Sequence, residues 1–326
     1  MRNARAARGA LAQATDQDAA VEAPADGLRV PRTHVVMLAA VAGLGLGMVI
    51  VYFDYGSWSH QSRVFAESGP FLFWLALICV QTMLWTLALP PLVGIFRHHW
   101  RAREPASVWG EVVPSAFVLT LLVTALAVVP HLIGSVPDFI PRQHPKILVL
   151  TALALLVALV ASMSIWLIRG RGEALGRSPA LTKSELGTYL RLRSDLEWLL
   201  AFLGTVIGLA VFASAGLRHV VLSYDKKANA GAEGVILYGF VLSLLVALIY
   251  LPTYATLQRT GTRIRDTVEQ LPQPDDQKLE ERIAKRSTLD DLLGLQISAS
   301  ASFRVGVAIL SPLLGSLTSL LPKLGG

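Results

Sequence analysis

Read from one Asp, Glu, Lys or Arg to the next, the chain contains six uninterrupted runs of at least 20 residues: 33–53, 68–96, 112–137, 147–168, 198–217 and 234–258. A helix rises 1.5 Å per residue, so about 20 residues cross a hydrocarbon core of roughly 30 Å. Within lipid every backbone N–H and C=O needs an internal partner, which leaves only helices or closed barrels. Barrel strands alternate apolar and polar positions over about 10 residues, and stretches such as Leu148-Val149-Leu150 and Leu155-Leu156-Val157 do not alternate. The pattern predicts an all-α, polytopic membrane helix bundle with six transmembrane helices.

A seventh run, 305–322, differs in kind. At 100° per residue, Phe303, Val307, Leu310, Leu313, Leu314, Leu317, Leu320 and Leu321 share one side, while Arg304, Ser311, Gly315, Thr318 and Ser319 share the other. This predicts an amphipathic C-terminal helix over 303–326, kinked at Pro312. It would lie at the interface, dock on the bundle, or form a seventh span with its polar face against protein.

Apolar spacing also continues past the sixth run. Leu257, Gly261, Ile264, Val268 and Leu271 repeat at 4-3-4-3 steps, a two-heptad interaction seam that needs a partner to cover it. The turn signal Leu271-Pro272-Gln273-Pro274-Asp275 ends it. Beyond it Leu279 and Ile283 mark another helix, and Ser287 with Asp290 reads as a fresh N-cap. Thr182 with Glu185 reads as the cap of a helix running on into the fifth span. The expected organisation is a disordered cytoplasmic tail over 1–32, the bundle over 33–258, a cytoplasmic helical hairpin over 259–302, and the amphipathic helix. The helices flanking the spans make up a small cytoplasmic helical module.

Composition agrees: 53% of the 326 residues are hydrophobic and only 16% charged, against roughly 25% charged in soluble domains. A pI near 9.6 suggests nucleic acid at first sight, but the basic residues are sorted by loop. The tail and the segments after runs two, four and six carry 21 Lys and Arg, and the alternating loops carry 6. This is the positive-inside asymmetry. It places both termini in the cytoplasm for six spans, in a plasma (inner) membrane, and removes nucleic acid as a partner. The single cysteine, Cys79, excludes an intrachain disulfide.

Candidate chemistry is sparse. A charge at mid-bilayer costs at least about 2.5–3.5 kcal/mol and usually marks a relay, an ion site or catalysis. The six runs contain none, which argues against carboxylate-driven transport and intramembrane aspartyl proteolysis. Gln81, Thr82 and Thr86 form a candidate polar track in run two, for which interhelical hydrogen bonding is the plainer reading. His60, His131, Asp138, His144, His219 and Asp225 have no local metal-ligand spacing. His98 and His99 read as juxtamembrane polar residues pointing in different directions. The cluster Arg191, Arg193, Asp195 and Glu197 reads as cross-pairing along one helix. Gly170-Arg171-Gly172-Glu173-Ala174-Leu175-Gly176 has its third glycine one position late for a dinucleotide fingerprint and reads as a flexible loop. Gly43, Gly45 and Gly47, and Gly204 with Gly208, have the spacing of close helix contacts.

These observations lead to a multi-pass membrane protein without catalytic residues, cofactor or metal. Its expected role is that of a non-enzymatic sensor, scaffold or assembly component acting through its cytoplasmic helices. Its partners are the lipid bilayer and either a second copy or another membrane or cytoplasmic protein. The alternative is an oligomeric channel or pore lined by the Gln81 track or the polar C-terminal face. A small-solute transporter rests only on Pro130 and Pro252, which occupy matching places in runs three and six.

Overall fold

The computed structural model describes residues 33–102, 138–177, 183–225, 232–268 and 279–295, with isolated positions between 113 and 123 and between 306 and 310. Among the described residues the regular elements are all helical. Helix α1 spans Thr33–Tyr52, and a 3-10 turn at Tyr55–Ser57 leads into the short α2, His60–Ala66. Then come α3 (Gly69–Arg101), α4 (Gln143–Arg177), α5 (Lys183–Tyr224), α6 (Ala232–Val268) and α7 (Leu279–Leu293). Five of these, α1 and α3 to α6, are long and apolar enough to cross a membrane. The tail 1–32, most of run 112–137, and the C-terminal residues Arg304, Ser311, Gly315, Thr318 and Ser319 lie outside the described residues.

Helix α3 packs on α4 and α5, and α6 packs on the same two helices. One end of this bundle, the basic end, holds Arg101, Arg177, Lys183 and Val268 at the helix termini. The other, the aromatic end, holds Tyr52, Trp58, Phe71, Phe139 and Tyr224. Apolar side chains face outward as well as inward. On α6, Leu237, Phe240, Leu244, Leu248 and Leu251 form an exposed stripe at steps of three and four. Such a surface suits lipid, where outward apolar groups carry no hydration cost.

Glycines let α1 approach α3 closely. Gly43 and Gly47 of α1 lie against Thr86, Met83, Thr82 and Cys79 of α3. A Cβ at Gly43 would collide with Thr86 Oγ1 and stand 2.8 Å from the Thr82 carbonyl. Thr86 Oγ1 donates to the Ala39 carbonyl across this contact at 2.8 Å. Gly45 faces open space.

The helices outrun the charge-free segments. α5 has 42 residues, about 63 Å at 1.5 Å per residue, although its charge-free run is only 198–217. α4 continues through Arg177 and α6 through Val268. The segment 170–176, expected as a loop, is therefore helical. Gly172 lies against Leu257 of α6 and Gly176 against Thr260, and Thr260 Oγ1 donates to the Gly172 carbonyl at 3.0 Å. Close packing here outweighs the roughly 1 kcal/mol that each glycine costs a helix. Ser287 also departs from expectation: α7 runs through it unbroken. Helix formers on both sides outweigh its capping tendency, and the helix stops only at Gly294, which has φ +58°. The bonds Leu295 N–H to Asp290 O (2.8 Å) and Gly294 N–H to Asp291 O (3.0 Å) close it as a Schellman cap.

Candidate functional site

At the basic end, α3 continues a buried stripe of Trp85, Ala88, Leu92 and Ile95 by one more step of four, to His99. That register carries the imidazole inward, where it is 0% exposed. Its Nε2 lies 3.0 Å from Asp195 Oδ2 on α5, and its Nδ1 lies 2.8 Å from Arg171 Nη1 on α4. A guanidinium can only donate, so Nδ1 must accept and Nε2 must carry the proton given to Asp195. A neutral imidazole thus connects a cation on one helix to an anion on another. Asp195 sits between Leu192, Leu196 and Leu199, all buried, so it too faces inward. Arg191 Nε stands 4.0 Å from the same carboxylate oxygen. The pairing along α5 expected from sequence holds for Arg193 and Glu197 at 3.0 Å, but His99 is the nearer partner of Asp195.

Beyond this tie, α7 docks on α5 and α6. Tyr189 Oη donates to the Leu293 carbonyl at 3.4 Å, and Arg193 Nη1 donates to the same oxygen. A cation on the last carbonyls of a helix is well placed for the helix dipole. Arg265 Nη1 pairs with Asp290 Oδ1 at 3.0 Å, and Arg286 pairs with Asp266. Of the seam residues, Leu257, Gly261 and Ile264 are buried, Val268 is exposed, and Leu271 lies outside the described residues. Gly261 is needed where it is, because a Cβ there would collide with Tyr189 Oη and lie 2.8 Å from Cζ.

The Gln81, Thr82 and Thr86 set divides between two surroundings. Thr82 and Thr86 turn to α1, and Thr82 Oγ1 donates back to the Ile78 and Cys79 carbonyls at 3.0 Å. Gln81 instead lines a cavity of about 150 Å³ between α3, α4, α5 and α6.

The aromatic end has its own buried ion pair. Lys146 of α4 reaches Asp54 Oδ1, which also accepts from Trp58 Nε1 at 3.0 Å. The ammonium lies 5.0 Å from the Trp58 ring centroid, a cation–π contact. Trp58 stacks on Tyr52 at 5.5 Å. Ser59 caps α2 by accepting from the Ser62 N–H at 3.1 Å. The segment between α1 and α3 is thereby fastened to the start of α4. His60, Asp138, His144 and His219 are exposed and dispersed, and among the described residues no three His, Cys, Asp or Glu converge to hold a metal ion.

Sequence patterns do not single out His99 with Arg171, or Asp54 with Lys146, as functional pairs. The inward stripe of α3 is a signal for His99 itself, whereas its partners are 96 and 72 positions away. The chain matches no protein-family model, no curated protein and no solved structure.

Proposed function

We propose that the chain is a six-span integral membrane protein of the plasma (inner) membrane with both termini in the cytoplasm. In this reading it serves as a non-enzymatic sensor or assembly component whose working surface is the cytoplasmic helical module. The observation that carries the proposal is continuity. Helices α4, α5 and α6 leave the charge-free segments without a break, and the Arg171–His99–Asp195 tie and α7 fasten them together at the basic end. A partner bound to that end would contact the ends of the same helices that line the bundle interior. The cavity beside Gln81 is walled mainly by apolar side chains, which supports a packed bundle more than the alternative of an oligomeric channel.

The test is in-membrane cross-linking of the full chain, beside the variant Arg193→Ala/Arg265→Ala. The expected result is a cross-linked second copy or protein partner that the variant loses while its bundle remains folded. A strictly monomeric chain without cross-linked partner, or ion flux after reconstitution in liposomes, overturns the reading.

A further inference from the structure

The middle of the bundle holds a polar group with nothing to bond among the described residues. On α3, Trp74, Ile78, Gln81 and Trp85 recur at steps of four, three and four and line the cavity of about 150 Å³. The opposite walls include Ala154 and Ala158 of α4 and Ala210 of α5. Gln81 is only 6% exposed, and its amide has no hydrogen-bond partner among the described residues. One turn along the same face, the Trp85 indole N–H is buried without an acceptor. Buried polar groups are nearly always paired, and each exception calls for an explanation. An amide left unpaired in an apolar cavity has given up its bonds to water without replacement, which is costly. The cavity is half open rather than enclosed, and apolar cavities of roughly this volume in other proteins take up small aromatic molecules such as benzene. Here the wall adds the Gln81 side-chain amide to that apolar volume.

We infer that this cavity is a binding site for a lipophilic molecule bearing a carbonyl. A group about the size of a six-membered ring, or an acyl segment of similar volume, fills the space, and its carbonyl oxygen accepts from the Gln81 amide. Lipid esters and ring ketones or quinones share this chemistry. The site stands on cavity geometry alone and does not depend on the role given to the basic end.

The experiment measures equilibrium binding of acetophenone and of ethylbenzene to the purified full chain in lipid nanodiscs, with empty nanodiscs subtracted. The two probes match in size, and only the first has a carbonyl. Acetophenone is expected to bind about five-fold tighter, the equivalent of one net hydrogen bond of about 1 kcal/mol. Gln81→Leu should bring the ratio close to one while ethylbenzene still binds, and Ala154→Phe should abolish binding of both. Equal affinities in the unmodified chain, or undiminished binding in Ala154→Phe, overturn the proposal. Organic extraction of protein purified from its own membrane, followed by mass spectrometry, distinguishes the sources. An acyl ester or a ring carbonyl compound held by the unmodified chain and lost from Ala154→Phe identifies the occupant, and retention of every such compound by both proteins counts against the site.

Discussion

His99 and Asp195, 96 positions apart in the chain, meet at 3.0 Å with the imidazole fully buried. Because Arg171 occupies the other ring nitrogen, removing either partner strands a buried polar group. Asp195→Ala should therefore cost about 2 kcal/mol, read as a lowered thermal unfolding midpoint of the full chain in detergent. Asp195→Asn keeps an acceptor for the Nε2 proton and should cost less. Equal losses for the two variants would mean that the hydrogen bond is not what matters at this position.

The same geometry predicts a pH response. His99 lies beyond the charge-free run 68–96, and a second ring proton would have to break the Arg171 bond. Burial lowers its proton affinity and outweighs the opposing pull of Asp195. The unfolded chain thus takes up this proton more readily than the folded one. The contribution to stability is complete above the ordinary histidine value of about 6.5 and is lost as pH falls below it. The difference in unfolding midpoint between the unmodified chain and His99→Gln should shrink from pH 8 to pH 5. A constant difference would disprove it.

Two glycines of α1, two positions apart, should behave in opposite ways. Gly43→Ala places a methyl group onto Thr86 and Met83, whereas Gly45→Ala meets nothing within 4 Å. The first should destabilise by about 1–3 kcal/mol as overpacking does, and the second should be neutral or slightly stabilising through helix propensity. Denaturation of both variants in parallel checks this.

Much of this architecture is legible in the sequence, and the misses have physical causes. Apolar runs ending at 53 and beginning at 68 locate the end of α1 and the start of α3 within a residue. Helix ends at the basic side are less visible, because a charge interrupts an apolar run without interrupting a helix. Gly172 and Gly176 resemble loop residues because their benefit resides in the side chains of α6 that they admit. Gln81 and Thr82 resemble one track, yet adjacent helical residues diverge by about 100°, enough to send one into the cavity and the other to α1. The His99 tie joins three helices, and no local pattern encodes a partner so far along the chain.

Docking of α7 should depend on the fit between Gly261 and Tyr189. Gly261→Ala forces the tyrosine aside and with it the hydroxyl aimed at the Leu293 carbonyl. Faster amide hydrogen exchange over Leu279–Leu293 is expected, with little change in α3. Adding Tyr189→Phe removes the colliding oxygen and should restore part of the protection. Unchanged exchange in Gly261→Ala would show that α7 docks without this contact.

At the aromatic end, Lys146→Met leaves the Asp54 carboxylate without its cation. Breaking a buried pair typically costs about 3–5 kcal/mol. The double variant Asp54→Asn/Lys146→Met should recover much of that loss, since no uncompensated charge then remains. Thermal unfolding of the two variants compares them, and a double variant no more stable than the single one would refute the pairing.

The uninterrupted course of α5 has a mechanical consequence. The 15 residues from Lys183 to Glu197 extend about 22 Å past its charge-free run, and a rod pivoted at the start of that arm moves its tip in proportion to the arm's length. A tilt of about 10° would displace Lys183 by about 4 Å, a step comparable to the ratchets and shifts by which helices change neighbours. Small rearrangements at the inner end of this arm would thus reappear enlarged at Lys183, carrying the docked α7 along, with no break in the helix to absorb them.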